Sequence, residues 1–165
     1  MDNPVEIIDK MLEDHATIVQ ETQGACSDAT ALANLSQADK DFSPGRLDRA
    51  EGIKKLQDTI TKCETGVAEH FSKEETALLE VFKKHGNDDQ MSQFHTLLKQ
   101  HRELKDRFAE ASSRVNKLVS GEITGGNWNS SANDLLTYMN KTRQLIEEHA
   151  STEHTLFRAL RKSIA

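Results

Sequence analysis

His15, the pair His70 and Glu74, His101, and the pair His149 and Glu153 are the residues of this chain whose types and spacing can do chemistry. Residues four apart share one face of a helix, so each His-x-x-x-Glu pair delivers an imidazole nitrogen and a carboxylate to the same place. Two carboxylates projecting inward from different helices can each bridge two metal ions, and four imidazoles then supply about two nitrogens per ion, the logic of di-metal helical bundles. Nitrogen and oxygen donors without thiolate favour iron or manganese in the cell, and zinc would also bind such a set. Counted this way, the side chains saturate neither ion. Room remains for a bridging oxygen species and a small exogenous ligand.

Four predicted helices must position these groups. Asn3-Pro4 is a capping side chain followed by proline at the first helical position, and the first helix is expected to run to about Leu35. Ser43-Pro44 repeats the signal, and the second helix runs to about Lys84, where His85-Gly86-Asn87 stops it. A third starts near Asp88 or Asp89 and ends before Gly121. A loop from Gly121 to Asn129, containing Gly125-Gly126, leads into a fourth that runs almost to Ala165.

Apolar positions keep a 3–4 spacing in all four, and the six candidate ligands interrupt it. The first seam reads Val5, Ile8, Leu12, His15, Val19, Thr22, Cys26 and Ala29. The second reads Leu56, Ile60, Cys63, Val67, His70, Glu74, Ala77 and Val81. The third reads Phe94, Leu97, His101, Leu104, Phe108, Ala111, Val115 and Leu118. The fourth reads Leu135, Met139, Thr142, Ile146, His149, Glu153, Leu156 and Leu160. Helices running up, down, up, down place all six ligands roughly 15–21 Å from one end of the bundle, at about 1.5 Å per residue.

A single histidine on an apolar seam is ordinarily a core residue with a hydrogen-bond partner. Six polar groups in one layer are different, because each unpaired buried group costs about 2–7 kcal/mol. A metal-free hydrogen-bonded network is the competing account. A pair of metal ions is the preferred one.

The order His, His-x-x-x-Glu, His, His-x-x-x-Glu, one element per helix, resembles the hemerythrin-like HHE cation-binding domain. The local text is similar too: EHFSKEETALLEVF around His70, EHASTEHTLFRAL around His149, and QHRELKDRF around His101. The resemblance covers essentially the whole chain, residues 1–165, read as one domain. It implies an all-α, up-down-up-down four-helix bundle. It also implies a non-haem di-iron centre, two iron ions with a bridging oxo or hydroxo group, that binds dioxygen, nitric oxide or a peroxide for sensing, storage or protection. The alternative it implies is a di-iron oxidoreductase or an iron donor in iron–sulfur cluster repair.

Oxygen-carrying hemerythrins have a fifth histidine, four residues from the other on the third helix, and a His-x-x-x-x-Asp on the fourth. Here the positions four away from His101 are Leu97 and Lys105, and the fourth helix carries His-x-x-x-Glu. The donor set is thus closer to the domains of iron–sulfur repair proteins, although this chain starts directly at the first bundle helix.

The remaining candidates have simpler readings. His95 is expected at the bundle's flank, and His154 stands where the family often has a second acidic residue. His85 sits at a helix end, where a cation is favoured by the dipole. Glu75 is read as a solvated side chain, with a hydrogen bond to a ligand histidine as the alternative. Cys26 and Cys63 are seam positions beyond the ligand layer, read as inert buried thiols rather than a redox pair. Trp128 and Tyr138 are expected to pack or cap at the other end.

Composition bounds the function. The chain has 165 residues, 36% apolar and 29% charged, and a net charge of −6, which argues against nucleic acid or an acidic membrane as partner. No apolar run approaches the eighteen or so residues of a membrane span, and no signal peptide opens the chain, so the cytoplasm is the default expectation, and the small apolar fraction leads to the expectation of a monomer.

Overall fold

The computed structural model describes residues 3–38, 47–120, 123 and 125–164. Helix α1 (Pro4–Ala38) is followed by α2 (Leu47–Lys73), which passes through a π-helical turn (Glu74–Leu78) into α3 (Leu79–His85) as one rod. Helices α4 (Asp88–Val119) and α5 (Gly125–Ile164) complete a bundle of four rods, running up, down, up and down. α1 packs on α2 and α5, and α4 packs on the same two, so the rods close into a ring around one core. No helix among the described residues is long and apolar enough to cross a membrane.

The helix ends follow local chemistry. Asn3 Oδ1 accepts from the Val5 backbone N–H at 3.0 Å, capping α1 as the Asn-Pro pair predicts. Asn87 accepts from the Gln90 N–H at 2.8 Å while the Gln90 side chain accepts from the Asn87 N–H at 3.0 Å, a reciprocal box that starts α4. Gly86 between α3 and α4 has extended backbone, φ −79°, so handedness does not require a glycine there. Space does: a Cβ would sit 2.7 Å from the Phe82 carbonyl oxygen. The Ser43-Pro44 start signal lies outside the described residues.

Three expectations are corrected. On α1 the inward face carries Ile8, Met11, His15, Ile18 and Thr22, whereas Val5, Leu12 and Val19 are only partly buried. The 3–4 spacing admits either face of a broad stripe, and packing against α2 and α5 selects one. On the second rod Ala77 is exposed and Leu78 is fully buried. Leu78 lies four residues after Glu74, the other step that the same 3–4 spacing allows, and the π turn spans these two positions. Finally, α5 begins at Gly125 instead of after a loop to Asn129. Trp128 is fully buried and its indole N–H donates to the Leu118 carbonyl at 3.2 Å, so tertiary packing overrides the poor helix propensity of two glycines. That bond also caps the last turn of α4. The seams predicted for the third and fourth helices are buried at every position.

The core falls into two apolar clusters. One joins Ile18, Leu56, Ile60, Phe71, Leu104, Phe108, Trp128, Met139 and Ile146; the other joins Ile8, Met11, Leu78, Phe82, Phe94, Leu97, Phe157 and Leu160. The six polar candidates separate them.

Replacing Gly86 with alanine is expected to lower unfolding stability in urea by about 1–3 kcal/mol, because the Phe82 carbonyl must move. Gly24→Ala, an open helical site with nothing within 4 Å of the new Cβ, should raise it by about 0.5–1 kcal/mol.

Candidate metal centre

The helices carry all six residues to one place. His15 comes from α1, His70 from the end of α2, Glu74 from the π turn, His101 from α4, and His149 and Glu153 from α5. Each is buried, both glutamates completely. Their donor atoms form two groups, His15–His70–Glu74–Glu153 and Glu74–His101–His149–Glu153, and within each group the atoms lie within 4.8 Å of one another. Both groups are built around the same two carboxylates.

Hydrogen bonding leaves this layer incomplete. His15 Nε2 donates to Glu74 Oε1 at 3.3 Å and to Glu153 Oε2 at 3.2 Å. His70 Nε2, His101 Nε2, His149 Nε2, Glu74 Oε2 and Glu153 Oε1 are buried without a hydrogen-bond partner. His101 Nε2 lies 3.0 Å from Glu74 Oε2, His70 Nε2 contacts Glu74 Oε1, and His149 Nε2 contacts Glu153 Oε1. Orphaned buried polar atoms are rare in folded proteins, and five converging on two shared carboxylates fit cations.

The electrostatics agree. Burial opposes the charge on Glu74, but the imidazoles of His101, His15 and His70 outweigh it and hold the carboxyl well below its usual range. Burial likewise works against a charged His15, yet Glu153 and Glu74 carry its pKa up to about 9. His101 moves up for the same reason, Glu74 overcoming burial. The layer thus attracts positive charge wherever its carboxylates point.

Around the ligands is an apolar jacket that the seam pattern did not reveal. Phe71 stacks on His101 with ring centroids 3.8 Å apart and meets His149 edge-on at 5.7 Å. Phe157 stacks on His15 at 5.5 Å. Each phenylalanine lies next to a seam position in sequence, Phe71 after His70 and Phe157 after Leu156. Adjacency was the available signal, but it does not say which neighbour turns inward.

Outside the layer sit acceptors for the outer ring nitrogens. Glu75 Oε1 accepts from His101 Nδ1 at 3.0 Å, so the reading of Glu75 as merely solvated is corrected. Gln100 Oε1 accepts from His149 Nδ1 at 2.7 Å, a partner sequence reasoning missed. Asp14 Oδ2 lies 3.6 Å from His70 Nδ1. An acceptor at Nδ1 places the proton there and leaves the Nε2 lone pair for a metal. Both acceptors are sequence neighbours of a candidate ligand, as is Asp14, which lies beyond hydrogen-bond distance of His70.

The other candidates fall away from the donors. His85 and His95 are exposed, and His154 is partly buried and lines a groove with His15. Arg107 and Arg114 each lie 4.1 Å from the Tyr138 ring, which is held as packing. Cys26 and Cys63 are free and buried. Burial, reinforced by the Glu21 charge, pushes the Cys63 thiol up to about 12. Cys26 moves the same way through burial, and its Sγ donates to the Met139 carbonyl at 3.2 Å.

The family model of the hemerythrin HHE cation-binding domain matches residues 6–160. No curated protein and no solved structure matches the chain.

The thiolate is the reactive form of cysteine, so both thiols should resist iodoacetamide at pH 8 in the native protein and react within minutes in denaturant. Mass spectrometry after quenching reads the difference; rapid native labelling of Cys63 would contradict its burial.

Proposed function

The chain belongs to the hemerythrin HHE cation-binding family, and we propose that it is a non-haem di-iron protein that binds dioxygen, nitric oxide or a peroxide for sensing, storage or protection. The observation that carries this reading is the sharing of Glu74 and Glu153 by two buried donor groups, each completed by two histidines. His15 and His70 would hold one ion and His101 and His149 the other, with both carboxylates common to the pair. Two irons held there supply open coordination positions and one-electron redox chemistry to a small ligand.

The residues of the chain perform the remaining tasks. Phe71 and Phe157 pack on the His101, His149 and His15 rings and lower the polarity around them, which strengthens the electrostatic contacts there. Glu75 and Gln100 hold the His101 and His149 rings in the tautomer with Nε2 free. The histidine-rich donor set carries two anionic ligands for two cations, which favours the ferrous state and supports binding over rapid oxidative turnover. A cytoplasmic monomer is the setting that the composition supports.

Anaerobic reconstitution with ferrous iron, followed by removal of loose metal, should leave about two irons per chain. The product should give a saturable change in visible absorption with nitric oxide or dioxygen. Iron near zero would exclude the proposal and leave a polar layer that only sets helix register. Glu74→Ala should retain fewer than one iron, because the carboxylate serves both groups.

Chelation offers an independent check. Metal that binds only the folded chain stabilises it by about 4 kcal/mol at a free concentration a thousand times Kd, so the melting temperature should fall on removal of iron. An unchanged melting temperature would contradict tight binding to the native layer.

A further inference from the structure

The two halves of the layer are not equivalent. On the His101–His149 side, Glu75 and Gln100 accept from both outer nitrogens, at 3.0 and 2.7 Å. A carboxylate and an amide oxygen can only accept, so both rings carry their proton on Nδ1. Their Nε2 atoms, with Glu74 Oε2 and Glu153 Oε1, are four buried donors without a hydrogen-bond partner. This half is already arranged around a cation.

On the His15–His70 side the arrangement is different. His15 Nε2 is engaged with both carboxylates, at 3.3 and 3.2 Å, and its Nδ1 has no hydrogen-bond partner. His70 Nδ1 has the Asp14 carboxylate only at 3.6 Å, beyond hydrogen-bond distance. The beside-a-ligand pattern of acceptors explains the gap. Glu75 beside Glu74 and Gln100 beside His101 each accept from the histidine of the next helix, whereas Asp14 beside His15 stops short of His70, and on α5 Glu148 beside His149 accepts from Gln144 instead, at 3.2 Å, leaving His15 Nδ1 without an acceptor. The groove that His154 and His15 share, about 700 Å³, is walled by Leu12, Ala16 and Val19 and by the polar Gln20, Gln23, Glu147 and Ser151, none of which bonds His15 Nδ1. To accept a metal, His15 must give up two hydrogen bonds with no outer bond to hold its ring.

We propose that Glu75 and Gln100 are positioning residues that make the His101–His149 half the first and tighter metal site, leaving the His15–His70 half as the exchangeable one. The inference rests on the di-metal reading above and assigns an order of filling to it. Outer hydrogen bonds of this kind are worth roughly 10–100-fold in metal affinity. The exchangeable half is then where a metal ion leaves or a small molecule displaces a ligand.

The test is an anaerobic titration of the metal-free full chain with ferrous iron or cobalt(II), followed by calorimetry and visible absorption. The wild-type chain should bind two ions in steps that differ at least roughly tenfold in affinity. Glu75→Ala and Gln100→Ala, which remove no candidate ligand, should weaken binding at the His101–His149 half roughly 10–100-fold and leave the other half within about threefold, so that the two steps merge or exchange order. His15→Ala should keep the first step and lose the second, whereas His149→Ala should lose the first. Glu75 is exposed enough that its replacement should leave the far-ultraviolet circular dichroism unchanged, so the test survives if a core variant fails to fold. Two indistinguishable steps in the wild-type chain would overturn the proposal, as would Glu75→Ala weakening the same step that His15→Ala abolishes. Binding of no metal at all would instead overturn the di-metal reading itself.

Discussion

Two carboxylates completely buried between four helices govern the structure. Glu74 and Glu153 cannot sit in an apolar core as isolated anions, because moving a carboxylate out of water costs far more than one core residue contributes. They need positive charge close by, and each helix supplies an imidazole at their level. Neighbouring imidazoles offset that cost only in part, leaving polar atoms without hydrogen-bond partners on both carboxylates and all four histidines. The chain belongs to the hemerythrin HHE cation-binding family, and this imbalance is compatible with metal binding.

The same layer disciplines the bundle. Apolar side chains alone tolerate a helix that slides by a turn, since one leucine replaces another. A ring of six polar groups does not, because any slide would strand a buried carboxylate against hydrocarbon. Two apolar clusters form on either side of the layer. A π turn starts at Glu74, and Leu78, Val81 and Phe82 resume apolar packing below the carboxylate. Turns of this kind are frequent at functional sites.

Beyond the ligands lies an outer set of acceptors donated between adjacent helices. α1 reaches toward α2 through Asp14, the π turn reaches α4 through Glu75, and α4 reaches α5 through Gln100. No acceptor on α5 returns to the His15 Nδ1 of α1. Ring orientation and tautomer are thereby set on one half of the layer and left open on the other. This difference in pre-organisation is invisible in the six candidate ligands themselves.

Much of this was legible in the residues. The 3–4 spacing, the Asn-Pro and Asn-x-x-Gln starts, and six polar interruptions of four apolar seams depend on helical period and local capping, so they determine the bundle and the common level of the candidate ligands. Other features depend on contacts between segments far apart in sequence. The choice of Met11 and Ile18 over Leu12 and Val19, that of Leu78 over Ala77, and the helical Gly125-Gly126 held by Trp128 are of this kind. So are the Phe71 and Phe157 jacket and the pairing of Glu75 and Gln100 with particular histidines. A helix period says which side chains share a face but not how that face is rotated against its neighbours. Only packing of the four rods decided the rotation, and with it which half of the layer had its outer hydrogen bonds made.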